Sequence, residues 1–226
     1  LGIVGPPGSG KSTIAHLLTR FYDVTEGKIT IDGQDLREVT LDTLRRHVLT
    51  VPQDPFLFTT SLENNIAYGD PWAKDEQITD AAFIAKIDKF ISGLPENYKT
   101  LVGERGVSLS GGQKQRISIA RTIMLNPSVM ILDDSTAAID AATEQEIRQL
   151  LKTPMQTCAT IFISHRLSTL LHADEIIFID NGRIVERGTH DGLIAEGGRY
   201  AELHKLQNLS TKNSEHIATK TKEVKL

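Results

Sequence analysis

The chain opens on a short apolar run, Leu1, Ile3 and Val4, which glycine and proline then interrupt. Ile14, Leu17, Leu18 and Phe21 recur at i, i+3, i+4 and i+7, predicting an amphipathic helix packed on a sheet. From Gly27 to Gly33 polar and apolar residues alternate and end in Asp-Gly, the signal of a short antiparallel element. A small polar helix around Leu41 to Arg45 leads to the strand Val48 to Val51. Between about Leu62 and Leu94 the pattern is helical, with Ile78, Ala82 and Ala85 leading to Phe90. Gly69-Asp70-Pro71 and Gly93-Leu94-Pro95 act as breakers there. With the helical run Lys114 to Leu125, this predicts a helical insertion over about 62–125. Val129 to Leu132 and Thr160 to Ile163 are continuous apolar runs, as buried parallel strands require. Between them, Thr143, Ile147, Leu150 and Leu151 share one helix face. A hairpin with the type I′ turn Asn181-Gly182 follows, then a helix from about Asp191 to Leu206.

Strands alternating with helices predict an α/β fold: a mostly parallel sheet flanked by helices, with the helical insertion between strands. The 226 residues, 39% apolar and 24% charged, suit one sizeable domain over 1–207. Residues 208–226 are polar and rich in Lys, Thr and Ser, and are expected to form a flexible tail. A net charge of −4 gives no whole-surface attraction for nucleic acid. The single cysteine, Cys158, lies in what reads as a buried strand and is expected to be a small core residue without a redox role. No apolar run approaches the roughly eighteen residues of a membrane span, and no secretion signal is recognisable. The expected class is a soluble domain that reaches a membrane only through a partner or through sequence outside this chain. Only four residues precede Gly5, so an N-terminal antiparallel subdomain is expected to be incomplete.

Candidate chemistry begins at Gly5-Pro6-Pro7-Gly8-Ser9-Gly10-Lys11-Ser12-Thr13, which matches the phosphate-binding loop G-x-x-x-x-G-K-[ST] between a strand and a helix. The glycines allow backbone N–H groups to point inward, and the helix start adds its own unpaired donors. Lys11 is expected at the β- and γ-phosphates, Ser12 on Mg²⁺, and Thr13 near the α-phosphate. Asp133 and Asp134 end an apolar strand. The first suits a water-mediated contact to that Mg²⁺, and the second suits orienting or deprotonating an attacking water. Gln53, just past a strand, is placed to touch Mg²⁺ or to order a water. The neighbouring Phe56-Leu57-Phe58 reads equally as a docking surface or as packing under a loop. Ser110, Gly111, Gly112 and Gln113 precede a helix, either as an ordinary N-cap or as a second anion site. In a face-to-face dimer, Ser110 and Gly112 would meet the γ-phosphate held by the other subunit's Lys11. His165 leaves a core strand and is expected near the γ-phosphate as a hydrogen-bond donor.

Together these residues resemble the nucleotide-binding domain of ATP-binding cassette transporters of the exporter type. The resemblance rests on GPPGSGKST (Gly5 to Thr13), Gln53, LSGGQ (Leu109 to Gln113), VMILD (Val129 to Asp133), the AAID loop ending at Asp140, and His165. VGERG (Val102 to Gly106) and SLENNIAYG (Ser61 to Gly69) are similar to the exporter subclass. It implies a P-loop nucleoside triphosphatase fold and a head-to-tail dimer with a homologous or identical domain. Two ATP molecules, each with Mg²⁺, would lie between the loop of one domain and the signature of the other, with Asp140 among the binding residues. It further implies that Glu104 and the Gln53–Phe58 region face cytoplasmic helices of a transmembrane domain. The domain would then lie at the cytoplasmic side of a membrane, the plasma or inner membrane being expected, and power export there.

The family's general base is normally glutamate, whereas this chain has Asp134. Aspartate is one methylene shorter, and a displacement of about 1 Å at a reacting atom costs on the order of a hundredfold in rate. The change resembles the slow site of heterodimeric multidrug exporters, and the intact LSGGQ would serve a faster site on a partner; a homodimer with aspartate as base is the alternative. No aromatic residue that could stack on adenine precedes Gly5, and weaker nucleotide affinity and poor stability are expected if the chain is complete. Other functions weighed are a soluble cassette ATPase of DNA repair, chromosome organisation or the ribosome, a P-loop kinase or GTPase, and a dimerisation domain gated by ATP with negligible hydrolysis. The kinase and GTPase readings lack an acceptor pocket and an N-K-x-D loop, respectively, and would leave LSGGQ idle.

Overall fold

The computed structural model of the chain describes residues 1–103, 107–136, 138–151 and 158–209. Eight strands and ten α-helices are formed among them. The strands are β1 (Gly2–Val4), β2 (Thr30–Ile31), β3 (Gln34–Asp35), β4 (Val48–Val51), β5 (Val129–Asp133), β6 (Ala159–Ile163), β7 (Ile176–Asp180) and β8 (Arg183–Gly188). The helices are α1 (Lys11–Leu18), α2 (Leu41–His47), α3 (Leu62–Ile66), α4 (Asp75–Ile84), α5 (Asp88–Ser92), α6 (Gly111–Met124), α7 (Ala141–Leu151), α8 (Leu167–Leu170), α9 (His190–Glu196) and α10 (199–209). Six strands form a mainly parallel sheet in the order β4-β5-β6-β1-β7-β8; β2 and β3 form a separate antiparallel pair. The α/β expectation holds. The chain divides into two compact units, residues 1–12 with 162–226, and residues 13–161.

In the first unit, β1 pairs in parallel with the end of β6 (Ile3 opposite Ile163) and with β7 (Ile3 opposite Ile177), and β7–β8 is antiparallel. Its core is Val4, Leu167, Leu170, Ile176, Phe178, Leu193 and Tyr200. Asn181 (φ 48°) and Gly182 (φ 72°) both adopt left-handed geometry, so the hairpin turn is the type I′ that Asn-Gly favours. The single helix expected from Asp191 to Leu206 is instead two. Gly197 ends α9 at φ 70°, and the Glu186 carboxylate on β8 accepts from the N–H groups of Arg199 and Tyr200, capping α10. Asn208 and Leu209, expected in the tail, continue α10, and the rest of the tail lies outside the described residues.

In the second unit β4 and β5 run parallel, from Val48 opposite Val129 to Val51 opposite Leu132. Helix α6 buries Ile117, Ile119, Ala120 and Ile123, so the helix that begins at the signature is also a core element of this unit. Three short helices, α3 to α5, supply most of the expected insertion; Asp32-Gly33 turns β2 into β3 as read from the sequence. Two expectations fail. Helix α1 stops at Leu18, because Arg20 turns left-handed (φ 53°) and the N–H groups of Arg20 and Phe21 bond back to Leu17 and His16. Phe21 is therefore 64% exposed and not part of the packed face. Cys158 precedes β6 and is half-buried, not a core strand residue; burial raises its thiol pKa.

Tyr200 is fully buried, its hydroxyl 2.8 Å from His190 Nδ1, and burial pushes its pKa from 10.0 up to about 12. The unfolded chain would ionise near 10 while the folded one would not, so this contribution is complete below pH 10 and is lost as pH rises to about 12. Urea midpoints measured across that window should fall with pH, and Tyr200→Phe should make the fall shallower.

Candidate nucleotide-binding site

The loop after β1 is shaped by where its carbonyls go. Lys11, 5% exposed at the start of α1, turns its Nζ back to donate to Gly5 O at 3.0 Å and Pro6 O at 2.9 Å. Ser9 O accepts from the Gly182 N–H of the β7–β8 turn at 3.1 Å. Three loop carbonyls thus have partners within the fold, and the Ser9 N–H closes the turn by donating to Pro6 O at 3.2 Å. Gly8 and Gly10 supply the left-handed turns (φ 77° and 103°). Gly5 is required for another reason: a Cβ there would stand 2.0 Å from Ile179 O on β7. The Ser9 hydroxyl is buried without a hydrogen-bond partner. The first turn of α1 carries no acidic residue, and Ser12 and Thr13 on it are exposed. A buried cation, left-handed glycines and a helix start without acidic residues together suit a polyanion.

The last two residues of β6, Phe162 and Ile163, belong to the same unit and pair in parallel with Gly2 and Ile3 of β1, so His165 leaves the sheet at the edge where the loop leaves it. His165 is exposed, and its backbone is held by a residue from far along the chain. Gln207 on α10 donates Nε2–H to His165 O at 2.6 Å and accepts from the Leu167 N–H at 3.0 Å.

In the second unit, Gln53 and the Asp133-Asp134 pair emerge together, because Val51 and Leu132 are register partners in parallel β4 and β5. Gln53 is exposed; Asp133 and Asp134 are half-buried. Asp134 sits at φ 42°, a left-handed conformation that Asp tolerates better than most residues. The N-cap reading of the signature is realised in full. Ser110 Oγ accepts from the Gln113 N–H at 3.3 Å, and Gln113 Oε1 accepts from the Ser110 N–H at 2.8 Å, a reciprocal capping box. Gly112 lies against the loop after Asp134, where an added Cβ would be 2.7 Å from Ala138 O. Asp140 ends that loop and caps α7 by accepting from the Thr143 N–H at 2.9 Å, the main reason its pKa is lowered. Glu104 lies outside the described residues, and the structure does not bear on its expected role.

The aromatic segment beside Gln53 divides between the two readings. Phe56 is 69% exposed, whereas Phe58 stacks on Tyr68 at 4.2 Å between ring centroids and has the Arg121 guanidinium 5.8 Å from its ring centre. Pro55, Phe56, Leu57, Val102, Val107 and Leu109 line a surface cavity at this point. Asn65, wholly buried, organises the segment: its side chain accepts from the Phe58 N–H and donates to Phe58 O and Ser61 O. Arg121 adds bonds to Asn65 O, Asn65 Oδ1 and Phe56 O. Asn65 falls within the SLENNIAYG stretch, although that likeness does not reveal its buried role; neither Arg121 nor Gln207 carries a sequence signal that distinguishes it from a surface residue.

Sheet order and loop define a P-loop nucleoside triphosphatase fold. The family model described as "ABC transporter" matches residues 1–137, and the chain belongs to that family. It is 49% identical over 207 residues to the Bacillus subtilis "Uncharacterized ABC transporter ATP-binding protein YknU", covering 92% of this chain and 35% of that protein. Against human "ATP-binding cassette sub-family B member 6" it is 46% identical, covering 99% of this chain and 26% of the relative. The solved "Structure of a bacterial Atm1-family ABC exporter with ATP bound" superimposes with a TM-score of 0.87 at 48% identity, over 91% of this chain and 36% of the other. The chain thus spans about a third or less of the proteins it matches. Among the described residues, no helix is long and apolar enough to cross a membrane.

Removing the Asn65 side chain would leave the buried Phe58 N–H without its acceptor and Arg121 without one of its own. Asn65→Ala should lower unfolding free energy by about 2–4 kcal/mol, since each orphaned buried group costs about 1–3 kcal/mol. Urea denaturation checks this.

Proposed function

We propose that this chain is the ATP-binding and ATP-hydrolysing domain of a membrane exporter, working as a head-to-tail sandwich dimer with a homologous or identical domain. The observation that carries the reading is the loop: a buried lysine drawn onto the Gly5 and Pro6 carbonyls beside left-handed glycines and a helix start without acidic residues. In this reading Gly5 through Thr13 cradle the triphosphate, with Lys11 on its outer phosphates. Ser12, Asp133 and Gln53 would hold Mg²⁺. The described residues contain no group of three or more His, Cys, Asp or Glu able to hold a metal ion. Mg²⁺ is commonly bound through one or two carboxylates together with substrate phosphates, and Asp133 would be the carboxylate here. The ion would supply charge neutralisation at the phosphates. Asp134 orients the attacking water and His165 donates a hydrogen bond to the γ-phosphate.

The signature serves the other copy. Capping uses one acceptor lone pair on Ser110 Oγ and leaves its O–H to donate, and α6 N–H groups at Gly111 and Gly112 precede the first intrahelical bonds. Ser110 and Gly111 are exposed, as a surface that meets a second domain's γ-phosphate needs to be. Asp140 lies beside that face. The Phe56 cavity and Glu104 meet cytoplasmic helices of a transmembrane domain, so the chain works at the cytoplasmic side of a membrane. The domain covers 1–209, α10 included, and 210–226 follow as a polar segment. Hydrolysis at the chain's own loop is slow because Asp134 is short, and its signature completes a faster site on a partner.

Two outcomes follow. Lys11→Ala should abolish ATP binding by titration calorimetry; binding unchanged would remove the reading's foundation. In the membrane-assembled protein, Asp134→Glu should raise turnover at this site by about ten- to a hundredfold, the scale of a misplacement of about 1 Å. No rise would discard the slow-site assignment while leaving ATP binding intact.

A further inference from the structure

Gln115, two residues beyond the signature and 4% exposed, makes both of its side-chain amide bonds to loops on other elements. Its Nε2 donates to Gln53 O at 3.3 Å, and its Oε1 accepts from the Ala138 N–H at 3.0 Å. The first bond reaches the loop after β4, and the second reaches the loop that follows the Asp133-Asp134 pair and ends at Asp140. Both loops are otherwise irregular backbone, so their mutual register depends on side-chain bonds of this kind. Gly112, one turn earlier on α6, packs directly on the same Ala138 peptide. Arg116, the next residue, anchors this part of the helix by donating to Lys86 O at 2.7 Å. One rigid helix therefore carries the signature turn at its exposed end and a single amide one turn on that holds two functional loops.

We propose that Gln115 is a positioning residue: it fixes the Gln53 loop and the Ala138–Asp140 loop relative to the signature helix, so that a phosphate engaged at the helix start finds both loops in place. Its effect on turnover rests on the functional reading above; its effect on the Ala138 amide does not. Glutamine is the side chain the geometry calls for. Glutamate keeps the acceptor for Ala138 and loses the donor to Gln53, while methionine keeps the length and volume and loses both.

The test has three readouts: backbone amide exchange at Ala138 by NMR on the full chain without nucleotide, and kcat and KM for Mg²⁺-ATP in the membrane-assembled protein. Gln115→Met should speed Ala138 exchange at least tenfold and lower kcat at least tenfold, with KM changed less than threefold. Gln115→Glu should preserve Ala138 protection yet still lower kcat, separating the two bonds. Unchanged Ala138 exchange in Gln115→Met overturns the proposal, as does a rise in KM with kcat intact. If Gln115→Met does not fold, Gln115→Glu decides: wild-type kcat in a folded protein overturns the bond to Gln53. If wild type itself shows no turnover, the functional reading fails, and Ala138 exchange still decides whether Gln115 holds the loop.

Discussion

The direction in which the peptide groups of residues 5 to 10 point is the constraint on which the site depends. Amide dipoles have two ends, and a loop offers its N–H groups to an anion only if its carbonyls are satisfied elsewhere. Here Lys11 takes the Gly5 and Pro6 carbonyls and the Gly182 N–H takes that of Ser9. A side chain at position 5 would collide with the Ile179 carbonyl, so the loop cannot relax outward without breaking its seat on β7. The β7–β8 hairpin thereby fixes the conformation of the loop, although none of its residues belongs to a phosphate motif. Lys11 holds two of the loop's carbonyls in this structure, and in the proposed function it is also the cation that an arriving triphosphate would draw away from them.

A comparable economy governs helix α6 in the second unit. Its first turn is self-capped by Ser110 and Gln113, so the exposed end is rigid before anything binds. Its middle is core, and its sides carry Gln115, Arg116 and Arg121, which donate to the backbone carbonyls of Gln53, Lys86 and Asn65 in turn. A helix with such fixed attachments moves as a body. Displacement of its signature end is therefore shared with the Gln53 loop, the Phe56–Phe58 segment and the loop before α7, which is the mechanical property a domain coupling nucleotide to a partner requires.

Much of this was legible in the residues. Strands β5 and β6 follow directly from apolar runs, and both Asp-Gly and Asn-Gly turns have the left-handed pairs their chemistry favours. The phosphate loop and signature were readable because their residue types serve local backbone geometry. What was not legible depends on partners distant in sequence. Helix α1 ends early through a left-handed arginine, which no propensity marks, and the C-terminal helix divides at Gly197, where Glu186 from a strand caps the second piece. Gln115 and Gln207 look like any helical glutamine until the chain folds and brings backbone groups 23 to 62 and 40 to 42 positions away within reach. The capping box shows the converse: a local pattern legible from the spacing of Ser110 and Gln113 alone.

The central claim is that a triphosphate draws Lys11 off the loop carbonyls of one copy and receives Ser110 from the other. The most direct measurement is a structure of the membrane-assembled protein trapped with Mg²⁺-ATP. The account predicts Lys11 Nζ on the outer phosphates instead of Gly5 O and Pro6 O, with the opposing copy's Ser110 hydroxyl donating to the γ-phosphate. Nucleotide bound while Lys11 stays on those two carbonyls, or Ser110 remote from every phosphate, would contradict it.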